Sequence, residues 1–485
     1  MSITQTAIQT LKDEEKMMNE MSSPEEILEY IKDDSNFKSL ADLMLETTQL
    51  SGKVSKDATK GDCINTLTSL LIKQAEDCGI NAKKETVQKK VTRWFNGYEK
   101  SQSIKKRESA IEICFALGLD ISKSNVFLNK CGFSIFNVRL AEDSIYMFCI
   151  LNGNSLKDAN DLMAKYSEYE ITEESDDYSE YASSDSKTFI MEQNLLSNSS
   201  WENEDEFLNT YLLPNKSRFI GYSTTTLKKY YELKNTLALL RYRECINYGK
   251  RDENDNIILD MSDTNIVKIC NAVKKIDNSI SFSSAEELIG VMNNIIIKIF
   301  SGSLDIDEQI HISEVLSEVM SLGYLLRTIL YSMDNNNIDN YELRNHKDYS
   351  LENTALKNFP TDNSFSDLEK DPMNITSNNM KARKMIILMY YIIFAYESSI
   401  NSEENNLYDS PVISQYGFME FWESIDKILA QCRLQQLYPA NQFDFLILRS
   451  IEEFSFSDYD IETDDPIGLF NDILQLSYEE KQAES

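Results

Sequence analysis

The side chains best placed to do chemistry in this chain are cationic. Between Lys83 and Arg107 stand nine basic residues (Lys83, Lys84, Lys89, Lys90, Arg93, Lys100, Lys105, Lys106 and Arg107) against two acidic ones, Glu85 and Glu99. The window carries a net +7 in a chain of 485 residues that totals −32, from 80 acidic and 48 basic side chains. Averaged over its surface, so negative a protein repels nucleic acid and anionic membranes, and a local reversal of sign requires an explanation. Phosphate contact is one: each Lys or Arg that meets a phosphate releases a condensed counterion, the main source of nucleic-acid affinity. The other is a solvated face on a lysine-rich helix.

A helical projection of Ala82 to Asn96 separates two faces. Val87, Val91 and Trp94 form an apolar stripe, while Thr86, Lys89, Arg93 and Asn96 point the opposite way with Gln88 and Lys90 on the flanks. A recognition helix needs this division. Lys and Arg reach guanine acceptors in the major groove, Gln pairs with adenine, and Thr contacts the thymine methyl. Trp94, lying in the stripe, is expected as a core anchor rather than a stacking platform.

The run TVQKKVTRWFNG (86–97), followed by SIKKRESAIEICFALGLDISKSNVFLNKCGF (103–133), resembles the second half of the Cro/repressor-like (XRE-type) helix-turn-helix family. It is most similar to the form found in regulatory proteins of low-GC Gram-positive bacteria, in which a segment like RLAEDSIYMFCILNGNSLKDANDLM (139–163) adds two helices. The resemblance covers about residues 61–165. It implies an all-helical DNA-binding fold and transcriptional regulation, with double-stranded DNA as partner and a homodimer reading paired half-sites. On this expectation Thr86, Gln88, Lys89, Lys90, Arg93 and Asn96 face the groove, and Lys100, Lys105, Lys106 and Arg107 meet phosphates. A non-enzymatic scaffold gripping an acidic protein partner is the competing expectation.

Other chemistry finds little support. The chain has two histidines, His311 in a helical context and His346 in a polar stretch, and neither completes a Ser/His/Asp or Cys/His arrangement. Its eight cysteines are scattered through apolar stretches without a CxxC pair, and no phosphate-cradling, HExxH or EF-hand motif occurs. The expectation is a protein without enzymatic activity, cofactor or metal. A second basic stretch, Lys228 to Arg251, interleaves seven basic residues with Tyr230, Tyr231, Tyr242 and Tyr248. It suits single-strand or RNA contact, but an amphipathic helix with inward-packed tyrosines is the preferred expectation.

The elements that must position these residues read as helices throughout. Gly and Pro are scarce, at 14 and 7, which disfavours sandwiches, barrels and glycine-punctuated nucleotide folds. The expected fold is all-α, an N-terminal helix-turn-helix-like bundle followed by one or two larger helical domains. Its expected parts are an N-terminal helical segment at 1–60, the binding module at 61–165, an acidic disordered linker at 166–187, a helical domain at 188–332, a polar loop at 333–378 and a C-terminal helical domain at 379–485. The linker holds eight acidic side chains against one Lys, so it could compete internally for a basic surface. No export signal is visible at residues 1–20, so a cytoplasmic location is the expectation. The apolar run Met385 to Tyr396 is 12 residues long, short of the ~20 that cross a bilayer, so it is expected as a buried core helix, with no membrane partner. Protein contacts are expected of the C-terminal helices.

One pattern recurs. Leu128-x-x-Cys131 is followed twelve residues later by Asp143, and Leu429-x-x-Cys432 twelve later by Asp444. Apolar residues match at Phe133 and Leu434, Phe136 and Leu437, Ile145 and Leu446, and Ile150 and Ile451. This is either chance likeness between two helical hairpins or a duplicated hairpin.

Overall fold

A computed structural model describes most of residues 23–32, 40–96, 104–169, 191–216, 224–321, 379–402, 418–456 and 470–480. The fold is all-α; among the described residues the only extended pairing is an isolated bridge between Arg251 and Ile257. The helices are α1 (Pro24–Lys32), α2 (Leu40–Leu50), α3 (Lys60–Asp77), α4 (Lys84–Asn96), α5 (Arg107–Leu117), α6 (Ile121–Lys130), α7 (Ala141–Asn152), α8 (Leu156–Ser167), α9 (Glu204–Phe207), α10 (Thr224–Asn247), α11 (Thr264–Ile276), α12 (Ala285–Phe300), α13 (Ile306–Ser317), α14 (Asn379–Ser402), α15 (Phe418–Gln431) and α16 (Gln442–Phe456). They fall into two compact units. One holds residues 37–223 with 433–435; the other holds 1–36, 224–432 and 436–485.

Local chemistry sets the helix ends of the 37–223 unit. Thr59 and Asp62 form a reciprocal capping box at the start of α3, and Ser155 with Asp158 does the same for α8. Asp120 caps α6 by accepting from the Lys123 N–H at 2.8 Å. Gly118 and Gly153, both left-handed, close α5 and α7 (φ 64° and 69°). Each sits in the same pair of carbonyl contacts: Leu119 N–H donates to Cys114 O and Gly118 N–H to Phe115 O, as Asn154 does to Cys149 and Gly153 to Ile150. Two tight helical hairpins, α5–α6 and α7–α8, result.

The core of this unit takes Val91, Trp94 and Phe95 from α4, Ile111 and Cys114 from α5, Phe127 and Leu128 from α6, and Ile145, Phe148 and Cys149 from α7. It also takes Met191, Leu195, Phe207, Leu208, Tyr211 and Leu212. Phe148 stacks on Phe207 with ring centroids 4.1 Å apart, and Trp201 meets both rings edge-on. The boundary expected at residue 188 is therefore corrected. Residues 191–212 complete the first unit's core, because the aromatic face of α7 needs Phe207 and Tyr211 to cover it.

In the other unit α10 runs through the centre, packing on α11, α12, α13, α14 and α15. Its surroundings bury Tyr230, Leu233, Leu237, Leu240 and Tyr242 together with polar Asn235, Thr236 and Arg243. Each polar side chain meets a partner, though not through every atom: Asn235 Nδ2 donates to Gln309 O at 2.9 Å, the Tyr242 hydroxyl to Leu316 O at 2.6 Å, and Arg243 Nη1 to Asn293 Oδ1 at 3.0 Å. In α14 every residue from Met385 to Ala395 is buried, so the apolar run is a core helix. Among the described residues no helix is long and apolar enough to cross a membrane. The expected separation of 188–332 from 379–485 is corrected too, since α10–α13 and α14–α16 share one unit. So is the 1–60 segment: α1 packs with α16, Tyr30 lying 5.2 Å from the Phe445 ring, whereas α2 joins the 37–223 unit. The acidic linker beyond Tyr169 and the polar loop at 333–378 lie outside the described residues.

Phe207→Ala should cost about 3–5 kcal/mol by opening the aromatic cluster. In hydrogen-exchange mass spectrometry the loss should appear across residues 141–152 and 203–212 while 264–317 keep wild-type protection.

Candidate nucleic-acid interface

The first unit presents α4 to solvent with the polarity read from its sequence. Val91 and Phe95 are fully buried, Trp94 is 5% exposed, and Val87 is packed against the same core. Phe95 extends the expected stripe. Its signal was present in the spacing: residues 87, 91, 94 and 95 follow the i, i+4, i+7, i+8 pattern of a helix face. Thr86, Gln88, Lys89, Lys90, Arg93 and Asn96 are all exposed. So are Lys83 and Lys84 at the head of the helix, where cations face the positive end of the helix dipole. That arrangement disfavours the isolated helix and becomes favourable beside an anion.

A turn of six residues, Cys78 to Lys83, joins α3 to α4. Gly79 takes φ +74°, its N–H donating to Glu76 O at 2.9 Å and the Ile80 N–H to Ala75 O at 2.8 Å. The α3 and α4 helices pack on each other and α2 packs on α4, so two helices hold α4 along its apolar stripe. Lys90 leans back toward α5: its Nζ lies 3.2 Å from Ser109 Oγ, 4.0 Å from Glu112 and 5.0 Å above the Trp94 ring. Lys89, Arg93 and Asn96 form the outward row.

The four residues assigned to phosphates divide. Lys106 is exposed at the N-cap of α5, and Lys100 and Lys105 lie outside the described residues. Arg107 leaves the set. Its Nη1 and Nη2 donate to Asp143 Oδ1 and Oδ2 at 2.7 and 2.9 Å, its Nε to Ser134 O at 3.2 Å and its Nη2 also to Ile135 O at 3.4 Å. A guanidinium with its fork closed on a buried carboxylate has no geometry left for phosphate. Asp143 also accepts from the Asn137 N–H at 2.8 Å. Burial pushes the Asp143 carboxyl up, and Arg107 and that N–H oppose the shift.

Much of the second basic stretch folds inward, while Lys250 and Arg251 are exposed and Tyr248 lies outside the described residues. Tyr230, Tyr231 and Tyr242 are buried on α10, as are Lys234 and Arg243, so packing accounts for these residues. The cysteines are free thiols, and burial raises Cys114 and Cys149 to about 12, which keeps them protonated and unreactive. His311 is exposed on α13. No family model, no curated protein and no solved structure matches the chain.

Because the outward row touches no core, Lys89→Ala/Arg93→Ala should leave stability within about 0.5 kcal/mol of wild type. Phe95→Ala should lose about 3–5 kcal/mol. Urea denaturation of the three proteins checks both.

Proposed function

We propose that the chain is a DNA-binding transcriptional regulator that sets α4 in the major groove. The observation that carries this reading is the exposed row of Lys89, Arg93 and Asn96, flanked by Thr86 and Gln88, on a helix whose opposite face is locked into a core. A rigid axis matters because base readout depends on bidentate geometry, which a loosely held helix cannot present. Arg93 and Lys89 match guanine, Gln88 and Asn96 match adenine, and Lys83, Lys84 and Lys106 are placed for the sugar–phosphate backbone. The sharp contrast between this surface and a chain of net charge −32 supports a confined footprint rather than general adhesion to nucleic acid.

The test is selection of the full-length protein on a random duplex library at two salt concentrations. A discrete enriched sequence is expected, palindromic if two copies bind together. Lys89→Ala/Arg93→Ala should abolish enrichment, whereas Lys83→Ala/Lys84→Ala should weaken binding to all sequences and lower the slope of log affinity against log salt by about 2. Absence of enrichment by well-folded protein would overturn this reading in favour of a scaffold whose basic face binds an acidic protein.

A further inference from the structure

The hairpin α6–α7 and the hairpin α15–α16 share more than a sequence echo. In the first, the Phe136 N–H donates to Asn125 Oδ1 at 3.0 Å; in the second, the Leu437 N–H donates to Asp426 Oδ1 at 2.7 Å. Both donors and both acceptors are related by the same shift of 301 positions that relates Asp143 to Asp444. An arginine from the preceding long helix closes each hairpin. Arg383 of α14 binds Asp444 through Nη1 and Nη2 at 2.8 and 2.5 Å and reaches Gln436 O at 3.0 Å. Arg107 binds Asp143 and Ile135 O, again the positions 301 earlier. Buried side chains fall in the same register: Leu128 and Leu429, Phe136 and Leu437, Ile145 and Leu446, Met147 and Leu448, Cys149 and Ser450. The likeness continues past the hairpin. Asn160-Asp161-Leu162-Met163 of α8 parallels Asn471-Asp472-Ile473-Leu474, and Leu162, Ile473 and Leu474 are buried.

Chance resemblance between hairpins would match an apolar spacing. It would not also keep, at one fixed shift, the amide-to-side-chain bond and both the carboxylate and the carbonyl that a guanidinium meets; the arginines themselves stand 276 positions apart, each on the helix before its hairpin. We infer that residues 379–480 are a second copy of the module at 104–167, and that only the first copy is equipped for phosphate. Lys83 to Arg107 runs into the first copy with a net +7, whereas residues 333–378, ahead of the second, hold nine acidic and four basic side chains. The second copy has also changed its hairpin acceptor from a neutral amide, Asn125, to a carboxylate, Asp426.

That exchange gives the inference an internal test. Asp426 is 6% exposed and faces the Trp422 indole N–H at 3.0 Å, the Leu437 N–H, Arg383 and Asp444, and Lys384 interacts with Asp444 and Arg383 beside it. Burial raises its carboxyl to about 6, with the Leu437 and Trp422 hydrogen bonds and Arg383 opposing. A carboxyl raised on folding binds more protons folded than unfolded, so its cost to stability grows as pH climbs from near 4 to 6 and stays in full above that.

The experiment is pH-resolved hydrogen-exchange mass spectrometry on the full chain, with Asp426→Asn, Asn125→Asp, Asp143→Asn and Asp444→Asn. Asp426→Asn keeps an oxygen for the Leu437 N–H but removes the titrating carboxyl and turns an amide N–H toward the Trp422 indole, so protection across 434–445 should lose its dependence on pH between 4 and 7. Asn125→Asp should introduce such a dependence across 133–144. Asp143→Asn and Asp444→Asn should each accelerate exchange in their own module at positions 301 apart. If either ion-pair variant fails to fold, the Asn125 and Asp426 exchanges still decide. A pH dependence across 434–445 that survives in Asp426→Asn, or openings that do not correspond between modules, would overturn the inference. A wild-type chain that binds no duplex would remove the DNA reading, leaving these exchange results to stand or fall alone.

Discussion

A half-buried guanidinium must find acceptors for a fixed fork of five N–H donors, and the first unit is arranged around that demand. Arg107 is the first residue of α5, and its partners are two consecutive carbonyls of the α6–α7 connection and a carboxylate in the first turn of α7. One side chain thus fixes where α5 begins, how the 131–140 connection is folded and how α7 is set against both. The Asp143 carboxylate is 1% exposed and would be untenable there without its partner. Everything that α5 and α7 then support, including the aromatic cluster of Phe148, Phe207 and Trp201, inherits that geometry.

The same logic separates the two basic stretches, which composition alone makes look alike. On α4 the cations occupy positions that the core does not need, so they remain in water around a stripe of Val91, Trp94 and Phe95. On α10 neighbouring helices pack against several faces, and Lys234, Arg243 and Glu232 are enclosed with them. Buried charges are retained only where a partner meets them, as Asn293 meets Arg243 and Lys229 meets Glu232 at 2.7 Å. Charge density in a sequence is therefore a signal of surface only when the helix carrying it has one buried face.

Local rules carried far along this chain. The cap residues Thr59, Asp120 and Ser155 and the glycines Gly118 and Gly153 act within a few positions, so the hairpins of the first module rest on local chemistry. The amphipathic division of α4 was equally readable, because a period of 3.6 assigns each side chain a face without reference to the rest of the molecule. Arg107 was misplaced for a complementary reason. Within its window it is one cation among nine, and its true partner, Asp143, lies 36 positions away.

What the sequence by itself determined was helix: the all-α class, the outward row of α4 and the buried state of Met385 to Ala395. These follow from short-range hydrogen bonding, scarce Gly and Pro, and apolar periodicity. Only the tertiary structure decided which helices share a core. It drew residues 191–212 into the first unit, united α10–α13 with α14–α16, sent α1 and α2 to different units and locked Arg107 and Arg383 onto their carboxylates. Such choices depend on shape and charge meeting across tens to hundreds of positions, and a one-dimensional pattern holds no distance at that range.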